Sequence, residues 1–381
     1  MSKITRLFSF PNDSFFLFGA RGSGKSFLLK HQFHNKAHWI NLLDQQKYLE
    51  YSASPERFFQ EISALDSGSW VVVDEIQRIP SLLNYVHMLI EDKKLRFVLL
   101  GSSARKLRRE GINLLGGRAY SKKMFPFLPQ ELGENFNFDR ALEYGLLPLV
   151  YFDADPVMRL QAYVEKYLTE EIEAEALARN IGGFSRFLHI AARFHAQTIN
   201  LSNIAREAEV KRPTASGYFE ILKDTLIATE LYPFSSKNKV RSVQKPKFYF
   251  VDSGLVRGIQ KRQHLKISDS EKGPLFEGLI YHILCAWKEY RPMFFDSIYY
   301  WKSHSSKQQE VDFILEKDKD LIAIEVKAKD KIFKKDLNGL KAFSNLHPVK
   351  EKKIIYLGKE KQKIEDIDIL PFQDWLGDLT P

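Results

Sequence analysis

The feature that most constrains the fold of this chain is residues 19–26, which read Gly-Ala-Arg-Gly-Ser-Gly-Lys-Ser and directly follow the apolar run Phe15–Phe18. They fill every fixed position of the pattern G-x-x-x-x-G-K-[ST], in which a glycine-rich loop connects a strand to a helix. Glycine lets such a loop wrap so that backbone N–H groups face phosphate oxygens. The segment therefore predicts a phosphate-binding loop within an α/β sheet.

The expected ligand of this loop is ATP together with Mg²⁺. We expect Lys25 to reach the β- and γ-phosphates and Ser26 to supply a hydroxyl to the metal ion. The predicted nucleotide-binding residues of the loop are Gly19, Gly22, Ser23, Gly24, Lys25 and Ser26.

A second apolar strand, Trp70–Asp74, ends in two adjacent acids, Asp74 and Glu75. An acid pair after a strand is often only a solvated strand end, but downstream of a phosphate-binding loop it favours nucleotide hydrolysis. A strand that stops at Asp74 can aim that carboxylate at Mg²⁺, while Glu75 can orient and deprotonate the attacking water. We predict that Asp74 binds the nucleotide-bound metal and that Glu75 is catalytic.

Two further groups are candidates for roles at the same site. Ser102 follows the apolar strand Phe97–Leu100 and could sense the γ-phosphate or hold the water, although Gly-Ser-Ser could also be a plain turn. Arg118 and Arg105 are candidates for an arginine finger that acts across a subunit boundary. A surface arginine is the alternative for both.

Short apolar strands alternate with amphipathic stretches over residues 1–150, which predicts an α/β core with a parallel sheet flanked by helices. The strand candidates are 14–18, 38–42, 70–74 and 96–100, and the helix candidates are 26–33 and 54–65.

Helical periodicity then replaces the strand pattern, so residues 151–257 are expected to form a mostly helical region. Helices that begin near Leu201 and Thr214, with a break between them, indicate a helix-turn-helix. Two β-like stretches follow, 227–233 and 247–252, and with the basic loop between them they are typical of a winged helix.

The polar segment 258–273 predicts a linker to a mixed α and β domain over residues 274–381. In that domain we expect a helix over 275–290 and strands over 297–301, 310–316, 321–327 and 353–357.

Several runs of the sequence carry a resemblance to a known family. They are Val73–Pro80, Leu100–Ala104, Gly117-Arg118, Pro126-Phe127, Glu131-Leu132 and Lys247–Leu255. In these runs, and in the tail motif below, the chain resembles the prokaryotic AAA-superfamily ATPases that carry a C-terminal domain of unknown function, over nearly its whole length. The resemblance implies an AAA-type P-loop NTPase core, a winged-helix region and a nuclease-like tail. It also implies ring assembly, because such cores hydrolyse ATP at subunit interfaces.

The tail motif consists of Glu277 on a predicted helix, Asp312 on one strand, and Glu325 and Lys327 on the next. Strand side chains alternate, so Glu325 and Lys327 share a face, and a short polar turn predicts a hairpin that brings Asp312 near Glu325. We expect Asp312, Glu325 and Glu277 to bind Mg²⁺ and Lys327 to orient or help deprotonate water during phosphodiester hydrolysis.

Asp followed by Glu-x-Lys resembles the core of restriction-endonuclease-like nucleases, and this resemblance implies a C-terminal α/β domain of that fold. Two alternatives stay open. The domain could be degenerate and only hold DNA, or the charges could form a solvated ladder on an ordinary hairpin.

The 381 residues include 57 Lys plus Arg against 48 Asp plus Glu, and this net charge of +9 favours contact with a polyanion. Lys211 and Arg212, together with the basic loop Lys237–Lys247, form the predicted DNA-contacting surface, although each could be a solvated face. The only cysteine, Cys285, excludes an intrachain disulfide. A reducing, cytoplasmic location without a membrane anchor is expected.

The leading hypothesis is an ATP-hydrolysing, oligomeric motor that acts on duplex or branched DNA and carries a Mg²⁺-dependent nuclease-like domain. The main alternative is a nucleotide-controlled switch or binding module with a non-catalytic tail. An RNA-directed regulator would use the same residues, because backbone contacts dominate the binding of both nucleic acids.

Overall fold

A computed structural model describes residues 4–101, 115–168, 181–235, 245–303 and 309–379. The chain divides into two compact units. The first contains the N-terminal part of the chain up to Pro126 together with Glu220–Ile227, and the second contains Phe127–Phe219 and the chain from Ala228 onward.

The first unit is built on a five-stranded sheet with the order β2-β3-β4-β1-β5. All four strand pairs are parallel, as predicted. The strands are β1 (Phe15–Phe18), β2 (Ala37–Asn41), β3 (Trp70–Asp74), β4 (Arg96–Gly101) and β5 (Tyr120–Lys123). Because the strands are parallel, the carboxyl ends of β1 and β3 lie at one edge of the sheet, which places the phosphate-binding loop and the acid pair together.

Within the described part of this unit, four α-helices accompany the sheet, and the sequence predicts the first and the third. They are α1 (Lys25–Gln32), α2 (Gln45–Ala53), α3 (Pro55–Ser63) and α4 (Leu82–Lys93). Asp44 caps α2 by accepting hydrogen bonds from two backbone N–H groups, and Pro55 occupies the first turn of α3. Helix α4 buries Leu82, Val86 and Leu89 in the core that covers the sheet.

The N-terminal half of the second unit is mostly helical, as predicted. Its helices are α5 (Pro129–Leu132), α6 (Phe138–Tyr144), α7 (Pro148–Tyr151), α8 (Pro156–Ala162), α9 (Ile181–Ala192) and α10 (Leu201–Glu207). Helix α11 (Arg212–Asp224) begins here and extends into the segment grouped with the first unit. The predicted pair of helices is therefore present as α10 and α11.

A small antiparallel sheet follows these helices. It contains β6 (Gln197–Thr198), β7 (Ala228–Leu231) and β8 (Lys247–Phe250) in the order β6-β8-β7. Strand β8 is thus hydrogen-bonded on both sides, with Lys247 opposite Leu231 and Thr198. This central position fixes the backbone from which the Lys247 side chain extends.

Helix α12 (Ser253–Ile259) and helix α13 (Asp269–Tyr290) extend into the two ends of the predicted linker over residues 258–273, and residues 260–268 connect them. Helix α13 starts earlier than predicted because Ser268 and Glu271 form a capping box. Glu271 also pairs with the buried Arg257 at 3.2 Å. The polar residues therefore serve helix capping and an internal ion pair rather than a solvated linker.

The C-terminal part of the second unit is a six-stranded mixed sheet with the order β13-β14-β12-β11-β10-β9. Its strands are β9 (Ser297–Lys302), β10 (Glu310–Lys317), β11 (Asp320–Lys327), β12 (Glu351–Tyr356), β13 (Gln362–Ile364) and β14 (Ile367–Pro371), and two helices complete it, α14 (Asn338–Ser344) and α15 (Phe372–Asp378). Within the described residues, no helix has both the length and the apolar character needed to cross a membrane.

Candidate functional site

The backbone of the phosphate-binding loop requires glycine at three positions. Gly22 and Gly24 have φ angles of 78° and 91°, which L side chains rarely adopt. A Cβ atom added to Gly19 would lie 2.5 Å from the carbonyl oxygen of Met124. The fixed glycines of the motif are therefore demanded by backbone conformation and by close packing against the strand end.

The two functional side chains of the loop have different neighbours. The buried Lys25 donates from Nζ to the carbonyl oxygens of Gly19 at 2.6 Å and Ala20 at 3.2 Å. Ser26 Oγ donates to Asp74 Oδ2 at 3.0 Å. The hydroxyl and the carboxylate predicted to share Mg²⁺ thus meet at the edge of the sheet. Both are oxygen ligands of the kind that Mg²⁺ prefers, so these residues fit a nucleotide-bound Mg²⁺.

Glu75 has a backbone conformation that is unusual for a residue with a side chain, with φ 61° and ψ 42°. Such left-handed conformations of non-glycine residues cost on the order of 1 kcal/mol or more and concentrate at functional sites. Burial raises the pKa of the Glu75 carboxyl, and the neighbouring Asp74 carboxylate raises it further. A raised pKa suits a group that must accept a proton from water.

Gln77 is a site residue that the sequence reasoning missed. Its Nε2 donates a hydrogen bond to the carboxylate of Glu75, and its side chain is buried. A Cβ atom on Gly101, the last residue of β4, would lie 2.8 Å from Gln77 Oε1, so the amide packs against that strand end. Gln77 therefore positions the carboxylate of Glu75.

The other predicted residues of the nucleotide site lie elsewhere. Ser102 and Arg105 fall outside the residues that the structure describes. Arg118 forms an ion pair with Glu91 of helix α4, and both side chains are partly exposed. In a single chain, Arg118 is thus held at the surface, and its role as an arginine finger stays a prediction.

In the C-terminal sheet, β10 and β11 form the predicted hairpin, with Phe313 opposite Ile324. Asp312 Oδ2 accepts a hydrogen bond from the backbone N–H of Val326 at 2.9 Å, and Lys327 Nζ bonds the Glu325 carboxylate. Asp312 and Glu325 are both buried. The hairpin therefore brings together the side chains that the motif predicted.

Lys247 lies in a different environment from the one that the sequence predicts. The sequence predicts a basic DNA-contacting loop that ends at Lys247, but only 4% of the side-chain surface of Lys247 is exposed. Its Nζ lies 2.9 Å from Glu277 Oε1, 2.5 Å from Glu310 Oε1 and 3.3 Å from Asp312 Oδ1. Lys247 is thus the centre of an acidic cluster, which we call the carboxylate cluster and define as Glu277, Glu310, Asp312 and Glu325.

The predicted metal set of Glu277, Asp312 and Glu325 does not fit Mg²⁺ in this arrangement. The ammonium group of Lys247 already contacts two of these three carboxylates, those of Glu277 and Asp312. Its positive charge would repel a divalent cation bound by the same carboxylates. Over the described ranges, no group of three or more His, Cys, Asp or Glu side chains is arranged to hold a metal ion. The sequence motif does not include Lys247, so it predicts a metal ion where the structure places an ammonium group.

Burial raises the pKa of two members of the carboxylate cluster, Glu277 and Glu325. It raises the pKa of Glu277 to about 7, and the Asp312 carboxylate acts in the same direction. The pKa of Glu325 is raised to about 8 by the same two causes in the same order. Burial alone would lower the pKa of Lys247, but the carboxylate of Glu277 and its neighbours raise it well above its ordinary value, so this lysine stays charged.

The predicted DNA-contacting surface is described only in part. Lys211 and Arg212 are exposed at the start of helix α11, and Thr214 is exposed behind them. Lys245 is exposed as well, whereas the loop residues Lys237, Lys239 and Arg241 lie outside the described residues.

Comparison with known families assigns each part of the chain separately. Residues 11–133 match the family model described as an AAA domain. Residues 135–268 match a domain of unknown function, DUF8612, and residues 272–375 match another, DUF4143.

The chain is similar to two curated relatives, Uncharacterized protein Rv2008c of Mycobacterium tuberculosis and Uncharacterized protein Mb2031c of Mycobacterium bovis. Each is 25% identical over 253 residues, which is 65% of this chain. The chain spans 56% of the length of each relative.

Among solved structures, the chain has similarity to the replication initiator DnaA bound to AMPPCP and single-stranded DNA, with a TM-score of 0.29 and 14% identity over 56% of this chain and 82% of that one. A DNA polymerase III gamma subunit-related protein from Thermotoga maritima gives a TM-score of 0.24 and 13% identity over 72% of this chain and 80% of that one. At these TM-scores the likeness carries no argument. The chain therefore has an AAA domain on a parallel five-stranded sheet, followed by two domains whose descriptions name no function.

Proposed function

We propose that this chain is an ATP-hydrolysing AAA-type protein that works on nucleic acid. The observation that carries the ATPase proposal is the 3.0 Å hydrogen bond between Ser26 Oγ and Asp74 Oδ2, with Glu75 as the next residue. The hydroxyl and the carboxylate would hold Mg²⁺, which neutralises charge on the phosphates when it is bound. Glu75 would accept the proton of the attacking water, and Gln77 would hold it in position.

Steady-state ATP hydrolysis by variants of the full chain tests this proposal. Lys25→Ala should abolish nucleotide binding, whereas Glu75→Gln should retain binding and lose turnover. Lys30→Ala is the matched control, because Lys30 is exposed on the same helix α1. If Glu75→Gln hydrolysed ATP at the wild-type rate, Glu75 would not be the base.

We further propose that the site is completed by Arg118 of a neighbouring subunit in a ring. The ion pair of Arg118 with Glu91 keeps the guanidinium near the surface, where another subunit could engage it. Lys25→Ala and Arg118→Ala proteins should each be inactive alone. When they are mixed, the Lys25→Ala subunits would supply Arg118 to intact phosphate-binding loops, and hydrolysis should reappear. If mixing restored none of the activity, Arg118 would not act in trans.

The nucleic-acid part of the proposal rests on the start of helix α11, where Lys211 and Arg212 are exposed. With the sheet of β6, β7 and β8, this helix would form a winged helix that contacts phosphates of duplex or branched DNA. Lys211→Ala/Arg212→Ala should weaken binding to every DNA topology and make the salt slope of log K less negative by roughly 1–2. The exposed pair Lys334 and Lys335 offers a matched control of equal charge. An unchanged slope would exclude this surface.

For the C-terminal region, we favour the second hypothesis, a nuclease-like but non-catalytic tail. The specific observation is the position of Lys247 within the carboxylate cluster. The region would then hold nucleic acid or a partner under the control of the ATPase. A cleavage assay over duplex, single-stranded, forked and four-way DNA with Mg²⁺ tests this, and cutting that Asp312→Ala abolishes would restore the nuclease hypothesis.

A further inference from the structure

The carboxylate cluster contains an internal cation rather than a space for an external one. The three donor hydrogens of an ammonium group match the three carboxylates around Lys247 Nζ, one each from Glu277, Glu310 and Asp312. All three oxygens lie within 3.3 Å of the nitrogen. Every donor of the lysine can therefore be satisfied inside the cluster.

The elements that carry these groups keep Lys247 in place. Strand β8 is paired on both sides, so its backbone cannot shift without breaking two sets of hydrogen bonds. Tyr249, two residues further along β8, donates from its hydroxyl to Glu277 Oε1 at 2.6 Å. The Tyr300 hydroxyl donates to the carbonyl oxygen of Lys245 at 2.5 Å, which ties the start of β8 to strand β9. The surrounding hydrogen bonds therefore fix Lys247 in its buried position.

We propose that Lys247 is the resident cation of the carboxylate cluster, at the position where the sequence predicts Mg²⁺. We further propose that the same carboxylates would bind a divalent cation if the ammonium group were removed. With the ammonium in place, a metal ion would face both the positive charge and carboxylate oxygens that already accept hydrogen bonds. Without it, three carboxylates converge on one point. They would need only small movements inward to reach the oxygen distances of a divalent ion, with water as the remaining ligands.

Lys247 also joins two parts of the second unit. It connects the small sheet to helix α13 through Glu277 and to strand β10 through Glu310 and Asp312. The inference goes beyond the proposed ATPase and does not depend on it, since the two sites share no residue.

Mn²⁺ binding to the nucleotide-free full chain, followed by the electron paramagnetic resonance signal of free Mn²⁺, tests the proposal. Wild type and Asp312→Asn should bind the same amount of Mn²⁺. Lys247→Ala should bind an additional equivalent that Lys247→Ala/Asp312→Asn lacks. Lys245→Ala is the matched control, because it removes the same charge two residues away from an exposed position.

Two results would overturn the proposal. The first is Mn²⁺ binding by wild type that Asp312→Asn removes, since this would show that a metal enters the cluster beside Lys247. The second is a folded Lys247→Ala protein, judged by circular dichroism, that binds no additional Mn²⁺. If that variant does not fold, the comparison of wild type with Asp312→Asn still decides whether a metal enters the cluster while Lys247 is present.

Discussion

Replacing Lys247 by methionine should destabilise the second unit strongly while leaving the first unit unchanged. Methionine keeps most of the volume of the lysine stem but removes the charge. The ammonium is almost completely buried and contacts three carboxylates, so its loss leaves Glu277, Glu310 and Asp312 without their common partner. Breaking a buried ion pair by removing one partner costs about 3–5 kcal/mol.

The cost should depend on pH. Burial raises the pKa of Glu277 to about 7, and this carboxyl can take up a proton when the lysine is absent. Protonation removes part of the uncompensated charge, so Lys247→Met should be least destabilised at low pH and most destabilised above neutrality. A cost of about 3–5 kcal/mol corresponds to opening that is about a hundredfold to several thousandfold more frequent.

Hydrogen–deuterium exchange of the full chain measures this opening in each unit separately. Peptides from strands β10 and β11 should lose protection in Lys247→Met, while peptides from strand β3 of the first unit serve as the internal reference. Lys245→Met is the control for the loss of one positive charge. If Lys247→Met and Lys245→Met exchanged alike in β10 and β11, the ammonium would not stabilise the cluster, and the reasoning would be refuted.

Three further predictions concern single residues. Gln77→Leu removes a hydrogen bond that lowers the pKa of Glu75, so the acid limb of kcat for ATP hydrolysis should move to higher pH, and an unmoved limb would contradict this role. Burial and then Asp312 raise the pKa of Glu325 from 4.5 to about 8, so the folded chain keeps a proton that the unfolded chain releases. The unfolding free energy should therefore fall as pH rises from the ordinary to the raised value, by up to about 1.4 kcal/mol per pH unit; in urea titrations Glu325→Gln should flatten this slope and Glu316→Gln should not. Gly19→Ala places a Cβ atom 2.5 Å from a backbone oxygen, so ATP binding measured by calorimetry should weaken about tenfold or more, and wild-type affinity would show that the loop can yield.

The nucleotide site could be predicted because its parts are short and local. The glycines of the loop from Gly19 to Ser26 predict its conformation, and strand β3 can be recognised in the sequence as an apolar run that ends in acidic residues. Only the parallel order of the strands had to be assumed in order to bring Ser26 and Asp74 together, and alternation of strands and helices predicts that order.

The role of Gln77 cannot be predicted from the sequence for a different reason. A glutamine two residues after the acid pair has no periodicity that distinguishes it from a surface residue. Its role depends on the left-handed backbone at Glu75, which turns the chain so that the amide meets the carboxylate. A sequence pattern shows which residue types are present, but it does not show the left-handed backbone conformation at Glu75.

Lys247 could not be found from the motif because its partners are distant in sequence. Glu277 lies 30 residues away and Asp312 lies 65 residues away. A lysine next to other basic residues indicates a solvated, anion-binding loop. The burial of Lys247 depends on the position of β8 between β6 and β7 and on the contacts of its ammonium group with Glu277 and Asp312.

Among the described residues, two buried lysines, Lys25 and Lys247, show why one site suits a ligand and the other does not. Lys25 donates to the carbonyl oxygens of Gly19 and Ala20, which are neutral acceptors and can be exchanged for phosphate oxygens with a gain in charge pairing. Lys247 faces three carboxylates, and no incoming anion or cation improves on that arrangement without first separating buried opposite charges. A buried lysine can therefore exchange its hydrogen-bond partners for a ligand when those partners are neutral, as at Lys25, and keeps its partners when they are charged, as at Lys247. This difference explains how one chain can combine a site that responds to nucleotide with a fixed acidic cluster.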